Sequence, residues 1–230
     1  MAAAQTIFPK IVVEKSISDL IGLLLDKSLL QYVLAREPRY TMLVTIQEFA
    51  LERLREMGVE TEIRNWHLAY VLDLTKNADK ELRGHHQLEW LQRLGAEVDN
   101  LRSALDWAIE TQQTELALQL VRKLDWFWNI RGDYTEGRQW LQRVLDMSQT
   151  PLFPEAQAEA LTQLAQHMWL QTGEQEARPA AEQALSIARA HNDKHNTARA
   201  LLALAEVQIY EGNSTAAETA LEESLSLIHI

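Results

Sequence analysis

The side chains best able to do chemistry in this chain are few and poorly placed for it. His85 and His86 are adjacent, so on a helix they diverge; only Glu89 can share a face with one of them, and one imidazole with one carboxylate is a poor metal site. His67 falls on an apolar helix face, where an interior hydrogen-bonded histidine is expected rather than a catalyst. Glu110, Glu115 and the group Glu218, Glu222 and Glu223 read as solvated faces, with no pair set for acid–base work. There is no Cys, which excludes disulfides, thiolate chemistry and Cys-based zinc sites and fits a reducing compartment. The nearest string to a phosphate loop runs from Gly132 to Gln139. It lacks the Lys and the hydroxyl of G-x-x-x-x-G-K-[ST], and it lies between two helices instead of after a strand. The expectation is a chain that presents surfaces: no enzyme, no cofactor and no metal.

Composition narrows the surfaces. A net charge of −11 makes nonspecific binding to nucleic acid or an anionic membrane unfavourable, and no Lys/Arg run exceeds two. Leu20–Leu25, the longest apolar run near the start, is far too short to span a bilayer. Without a cationic, apolar and small-residue succession at the N-terminus, no signal peptide is read and a cytoplasmic location is expected.

The elements that position the side chains follow from a repeat of 40 residues in the C-terminal half. On that register Gly132, Thr172 and Gly212 share a slot. Val121, Leu161 and Leu201 form a row, as do Leu124, Leu164 and Leu204; Leu145, Leu185 and Leu225; and Gly137, Ala177 and Ala217. A constant stride of this size predicts stacked helical hairpins, each burying its apolar face on the next. The predicted pairs are 114–131 with 134–148, 155–171 with 175–191, and 195–211 with 214–229, punctuated by Pro151 and Pro154 and by His191-Asn192-Asp193. Leu101, Ala104 and Leu105 stand one stride before Leu141, Val144 and Leu145, so 97–110 reads as the second helix of a degenerate repeat; 60–112 is helical throughout, with a shorter helix at 85–94. Trp107 shares its slot with Met147, Ile187 and Leu227 and reads as core; Trp128 and Trp140 read as packing between layers. Trp126 aligns with Gln166 and Glu206, which predicts an exposed aromatic. Asp125 breaks a row otherwise filled by Ala165 and Ala205, and reads as solvated or paired with a base.

Residues 1–58 differ. Ser18 or Asp19 can cap a helix to about Lys27. Leu29–Leu34 and Arg39–Val44 read as strands around the turn signal Arg36-Glu37-Pro38. Thr45 with Glu48 forms a capping-box pattern for a helix stopped at Gly58. Helix, hairpin, helix is the order of the second half of a winged helix; a generic α+β cap on a solenoid has the same order. The chain ends within a helical pattern, and both ends are expected to be cut from a longer protein.

The repeat array resembles tetratricopeptide repeats. Leu164-Ala165 and Leu204-Ala205, Gly132-Asp133-Tyr134, and Ala184-Leu185 match their Leu-small, turn and late second-helix elements; the usual period of ~34 residues is exceeded, which implies longer helices or junctions. The resemblance implies a mainly α fold, a right-handed superhelix of such hairpins preceded by a partial winged helix. It also implies a concave groove lined by first helices: Gln119, Arg122, Trp126, Asn129 and Ile130; Glu159, Thr162, Gln166, Trp169 and Leu170; Arg199, Leu202, Glu206, Ile209 and Tyr210. Of these, Trp126, Trp169 and Tyr210 would be rigid anchors, and Arg122 and Arg199 could meet a carboxylate or phosphate. An ordinary solvated face is the other reading.

A second resemblance covers most of residues 18–145. Leu24–Leu30, Arg39–Leu43 and Thr45–Ala50 look like the winged-helix end of bacterial STAND proteins, signal-transduction ATPases with an NB-ARC module. Trp90–Leu94 with Glu97–Ala108 looks like their helical connector, and Phe127-Trp128 with Gly132–Leu145 like its first repeat. This implies a partial winged-helix domain at 1–58, a connector at 59–112 and three repeats at 113–230. The implied function is a non-catalytic sensor region of a regulator, with an ATPase upstream and a protein, peptide or small-molecule inducer on the groove. A stand-alone tetratricopeptide adaptor that binds a peptide segment is the alternative.

Overall fold

Several helices stop at or next to a residue with positive φ, and most of the turns of the repeats are built this way. The structure, a computed structural model, describes residues 16–34, 39–147 and 152–228. Within the repeats positive φ falls at Gln112, Gly132, Gly173, Asn192 and Gly212, about twenty residues apart except after the helix Tyr134–Leu145, whose C-cap Asp146 stays right-handed. At Gly132 the Asp133 N–H donates to Trp128 O (2.9 Å), and at Gly212 the Asn213 N–H donates to Gln208 O (2.8 Å). The second hairpin departs from the expected slot. Its turn is made by Gly173 and not Thr172, at φ 93° and ψ −170°, a region open essentially to glycine alone.

The chain divides into two units, Met1–Val71 and Leu72–Ile230. In the first, α1 (Ile17–Asp26) is capped by Ser16, whose Oγ accepts from Asp19 N–H while the Asp19 carboxylate accepts from Ser16 N–H. The capping box therefore sits earlier than Ser18 or Asp19 as cap would place it. The strands β1 (Gln31–Val33) and β2 (Arg39–Thr41) pair antiparallel, with Tyr32 opposite Tyr40 and their rings 5.7 Å apart. The turn signal Arg36-Glu37-Pro38 lies outside the described residues. In α2 (Val44–Glu56) the cap is Leu43, without a side-chain hydrogen bond. Thr45 lies one residue inside, so the expected capping box does not form. Gln47 reaches back to Met42 O instead (3.0 Å). The helix ends at Gly58 as expected, at φ 70°, with Val59 N–H donating to Leu54 O (3.0 Å). Neither α1 nor α2 has a buried residue, and Tyr32, Val44 and Phe49 are exposed. This helix–hairpin–helix order fits a partial winged helix.

The long helix α3 (Glu60–Glu81) runs across the division, and the second unit continues with α4 (Gln87–Ala96) and α5 (Val98–Glu110). Three hairpins follow: α6 (Thr114–Arg131) with α7 (Tyr134–Leu145), α8 (Pro154–Thr172) with α9 (Glu174–Ala190), and α10 (Lys194–Tyr210) with α11 (Ser214–Ile228). First helices pack in succession, α6 on α8 and α8 on α10, and α8 and α10 also pack against α7 and α9. The rows of the register become the core. Val121, Leu161 and Leu201 are all buried, as are Leu124, Leu164 and Leu204; Gly137, Ala177 and Ala217 are buried where small size lets helices approach. Trp107, Trp128 and Trp140 are buried as the register implies. One row fails at its end. Leu145 is half-buried and Leu185 buried, but Leu225 is 55% exposed, because α11 is the last helix and no further one covers it among the described residues.

Arginines staple consecutive second helices. Arg102 of α5 grips Glu136 of α7 with both nitrogens (2.8 and 2.9 Å). Arg138 of α7 meets Glu176 of α9 (3.1 Å), and Arg189 of α9 meets Glu223 of α11 (2.6 Å); Arg178 of α9 reaches instead to Glu211, the cap of the first helix α10 (2.9 Å). Hydrogen bonds from Arg102 hold the Glu136 carboxyl below the usual carboxylate range, and Arg178 does the same to Glu211.

Candidate partner-binding face

The face made by the first helices α6, α8 and α10 carries the residues singled out for a groove, and it sorts them into three groups. Arg122 of α6 and Arg199 of α10 converge on one carboxylate, Glu159 of α8; Arg199 Nη1 is 2.8 Å from Glu159 Oε1, and Arg122 bonds the other oxygen. The two guanidiniums expected to await an anion are thus already committed to one within the chain. The sequence reading set Glu159 beside them in the groove without pairing them, although both arginines lie within one stride of it.

The second group is covered or buried. Trp126 is half-buried: its indole N–H donates to Leu82 O (3.2 Å), and the Arg83 guanidinium lies 4.6 Å from its ring centroid. This corrects the expectation of an exposed aromatic, since the carbonyl and cation that follow α3 satisfy its polar edge and its π-face. Lys123 beside it reaches back to Asp79 of α3 (2.7 Å). Thr162 is fully buried and donates to Ala158 O (2.9 Å); it belongs to the core, not to the face. Gln119 is exposed, while Asn129, Ile130 and Gln166 are half-buried.

The third group is open. Trp169 of α8 and Tyr210 of α10 meet edge to face, ring centroids 5.2 Å apart. Trp169 is half-buried, whereas Leu170 next to it in sequence and Leu202, Ile209 and Tyr210 of α10 are exposed, Tyr210 to 66%. Glu206, one turn before Tyr210 on α10, is half-buried. Burial pushes its carboxyl above the ordinary value, and among the described residues no hydrogen bond or ion pair answers it.

Behind this face lies a pair that the sequence reading missed. His167 of α8 is wholly buried, and its Nε2 stands 2.9 Å from Asp125 Oδ1 of α6. Asp125 is therefore paired with a base, one of its two expected alternatives. The ring packs on Tyr134 (5.7 Å, edge on) and against Gly137, where a Cβ would stand 2.6 Å from His167 Cε1. The same packing accounts for the Gly132–Gln139 string: Gly132 and Asp133 form a turn, Glu136 is held by Arg102, and Gly137 makes room for a ring. The 470 Å³ cleft beside it is lined by Arg102, Asp133, Glu136 and Arg143, but Arg143 is engaged with Asp106 (2.7 Å) as Arg102 is with Glu136. The larger cleft, 570 Å³, lies between α7, α8 and α9, away from the first-helix face. Elsewhere, His85 and His86 are exposed and His67 half-buried; His86 lies 3.6 Å from Glu89. No group of three or more metal-ligating side chains occurs among the described residues, and none of their helices is long and apolar enough to cross a membrane.

Comparison with known proteins agrees with this geometry. Residues 157–228 match the family described as "Tetratricopeptide repeat". A crystal structure of the nearly identical TPR-like repeats of a "putative kinesin light chain" from Podosopora anserina superposes with a TM-score of 0.51 at 17% identity, over 79% of this chain and 92% of that one. The fold is a tetratricopeptide-like solenoid. By sequence, 82% of the chain is 33% identical, over 202 residues, to proteins named "Putative HTH-type transcriptional regulator" in Mycobacterium tuberculosis and Mycobacterium bovis. The chain spans 22% of the length of these curated relatives. Tetratricopeptide-like repeats make it a protein-interaction region.

Proposed function

We propose that the chain is the sensor and connector region of a STAND-type signal-transduction regulator, and that a partner engages the first-helix face of its repeats. On this reading residues 1–58 are the end of a winged helix, 59–112 the connector and 113–230 the sensor, with the nucleotide-binding module upstream. One observation carries it: the exposed side chains Leu170, Leu202, Ile209 and Tyr210, with the half-buried Trp169 against Tyr210, are spread over two first helices of an otherwise well-packed array. The similarity to regulators named HTH-type, together with the helix–hairpin–helix order before the repeats, supports the regulatory setting. Partner binding would bias a two-state equilibrium of the upstream module, by no more than its differential affinity for the two states. The uncovered apolar side chains of α1, β1 and α2 are the surface on which that module would rest.

Calorimetry with Mg-ATP tests the division of labour. The expected result is no heat of binding; micromolar affinity for ATP would overturn the assignment of nucleotide binding to another module. A phosphate-loop motif in the reading frame upstream of Met1 is expected, and its absence would favour the stand-alone adaptor.

A further inference from the structure

The face treats the same slot differently at its two ends. At the first hairpin the slot holds Trp126, and the chain supplies the cation that covers it, Arg83 at 4.6 Å. Two strides on, the slot holds Glu206, beside an aromatic pair that no cation covers among the described residues. Glu206 and Tyr210 are one turn apart and share a side of α10, and Tyr210 touches Trp169. The one basic side chain of α10 on that side, Arg199, is drawn two turns away to Glu159. A carboxylate next to π-faces, unanswered and partly withdrawn from water, is the arrangement that takes a guanidinium: the acid accepts its N–H groups and the rings take its flat face.

We propose that Trp169, Glu206 and Tyr210 form a pocket for an arginine side chain of a protein partner, and that Leu170, Leu202 and Ile209 seat apolar residues on either side of it. The proposal rests on the partner-binding reading of this face and gives it a chemistry. Charge complementarity selects the occupant. The chain carries a net −11, the two arginines of the face are both held on the one carboxylate of Glu159, away from Glu206, and an acidic segment would meet Glu206 with repulsion. Burial that raises the Glu206 carboxyl means that an arriving cation relieves a cost already present in the free protein.

Calorimetric titration of the whole chain with three peptides, capped at both ends, tests it: leucine–leucine–arginine–leucine–leucine and its citrulline and glutamate counterparts. The arginine peptide is expected to bind about tenfold tighter than the citrulline one, as one charge-assisted contact requires. Glu206→Gln should remove that preference while thermal melting shows an intact fold, and Tyr210→Ser, at an exposed position, should weaken the arginine peptide as well. Equal affinity for arginine and citrulline peptides overturns the pocket, as does a preference that survives Glu206→Gln. If the glutamate peptide binds best and Arg122→Ala weakens it, the pocket falls and the partner-binding face stands. If none of the three binds, both readings fall.

Discussion

Replacing Gly137 by alanine should damage this protein although alanine is the better helix former. In a helix interior the exchange gains about 1 kcal/mol from backbone entropy alone, and the same register holds Ala177 and Ala217 in the next two hairpins. At 137, however, the added Cβ would stand 2.6 Å from Cε1 and 2.9 Å from Nδ1 of His167, and 3.2 Å from Cε3 of Trp128. His167 cannot withdraw cheaply, because it is wholly buried, bonded to Asp125 and packed on Tyr134. Overpacking of this kind costs about 1–3 kcal/mol. Set against the propensity gain, the net expectation is a loss of up to ~2 kcal/mol, or up to roughly 8 °C in melting temperature for a chain of this size. Urea unfolding followed by circular dichroism reads it directly. The control is the background Asp125→Ala with His167→Val, the residue types that the third hairpin carries at Ala205 and Val207. There the ring is gone, and Gly137→Ala should be neutral or stabilising by up to ~1 kcal/mol. A stabilising effect in the wild-type chain, or an equal loss in both backgrounds, would refute the account of why glycine stands at 137.

Leu164→Ala and Leu204→Ala, both in the buried row, should each cost about 2–5 kcal/mol in equilibrium unfolding, whereas Gln166→Ala should stay within ~0.5 kcal/mol; similar losses at all three would mean that the faces are misassigned. Glu136 is held below its ordinary carboxylate range by Arg102, so its contribution is present above the unfolded carboxylate value near ~4.3 and is lost as pH falls through the lower folded value. Glu136→Gln should therefore be less stable than wild type at neutral pH, by under ~1 kcal/mol at so exposed a pair, and the gap should close below about pH 4 in acid melts. Glu206 has the opposite sign. Its folded carboxyl lies above the ordinary value, so ionisation opposes folding as pH rises, and Glu206→Gln should melt higher than wild type at pH 7 even as it abolishes the arginine preference.

The repeat array was legible because its signals are redundant. Every core row recurs at one stride, so the limits of helices such as Thr114–Arg131 followed from several independent residues. Local capping was less legible, because a hydroxyl beside an acid occurs by chance. Ser16 and not Ser18 caps α1, and Leu43 displaces Thr45 as the start of α2. The His167–Asp125 pair went unread although its traces were present. Asp125 breaks the small-residue row, His167 breaks the row of Phe127 and Val207, and Gly137 breaks the alanine row. Three departures in neighbouring helices compensate one another, and only contact across the stack makes that visible. The face was read in outline and misread in charge: register placed Arg122 and Arg199 on it, but not their joint capture by Glu159. Trp126 was misjudged for a related reason, since Leu82 and Arg83, which satisfy it, come from outside the repeat.

Glu159 also has a mechanical meaning. A coil of hairpins bends by small rotations at each joint, and ordinarily each joint yields on its own. Here a single carboxylate is riveted to the hairpin before it and to the hairpin after it, so the two joints must open or tighten together. Through Arg199, Glu159 and Arg122 the third hairpin is thereby linked to the first, two hairpins away.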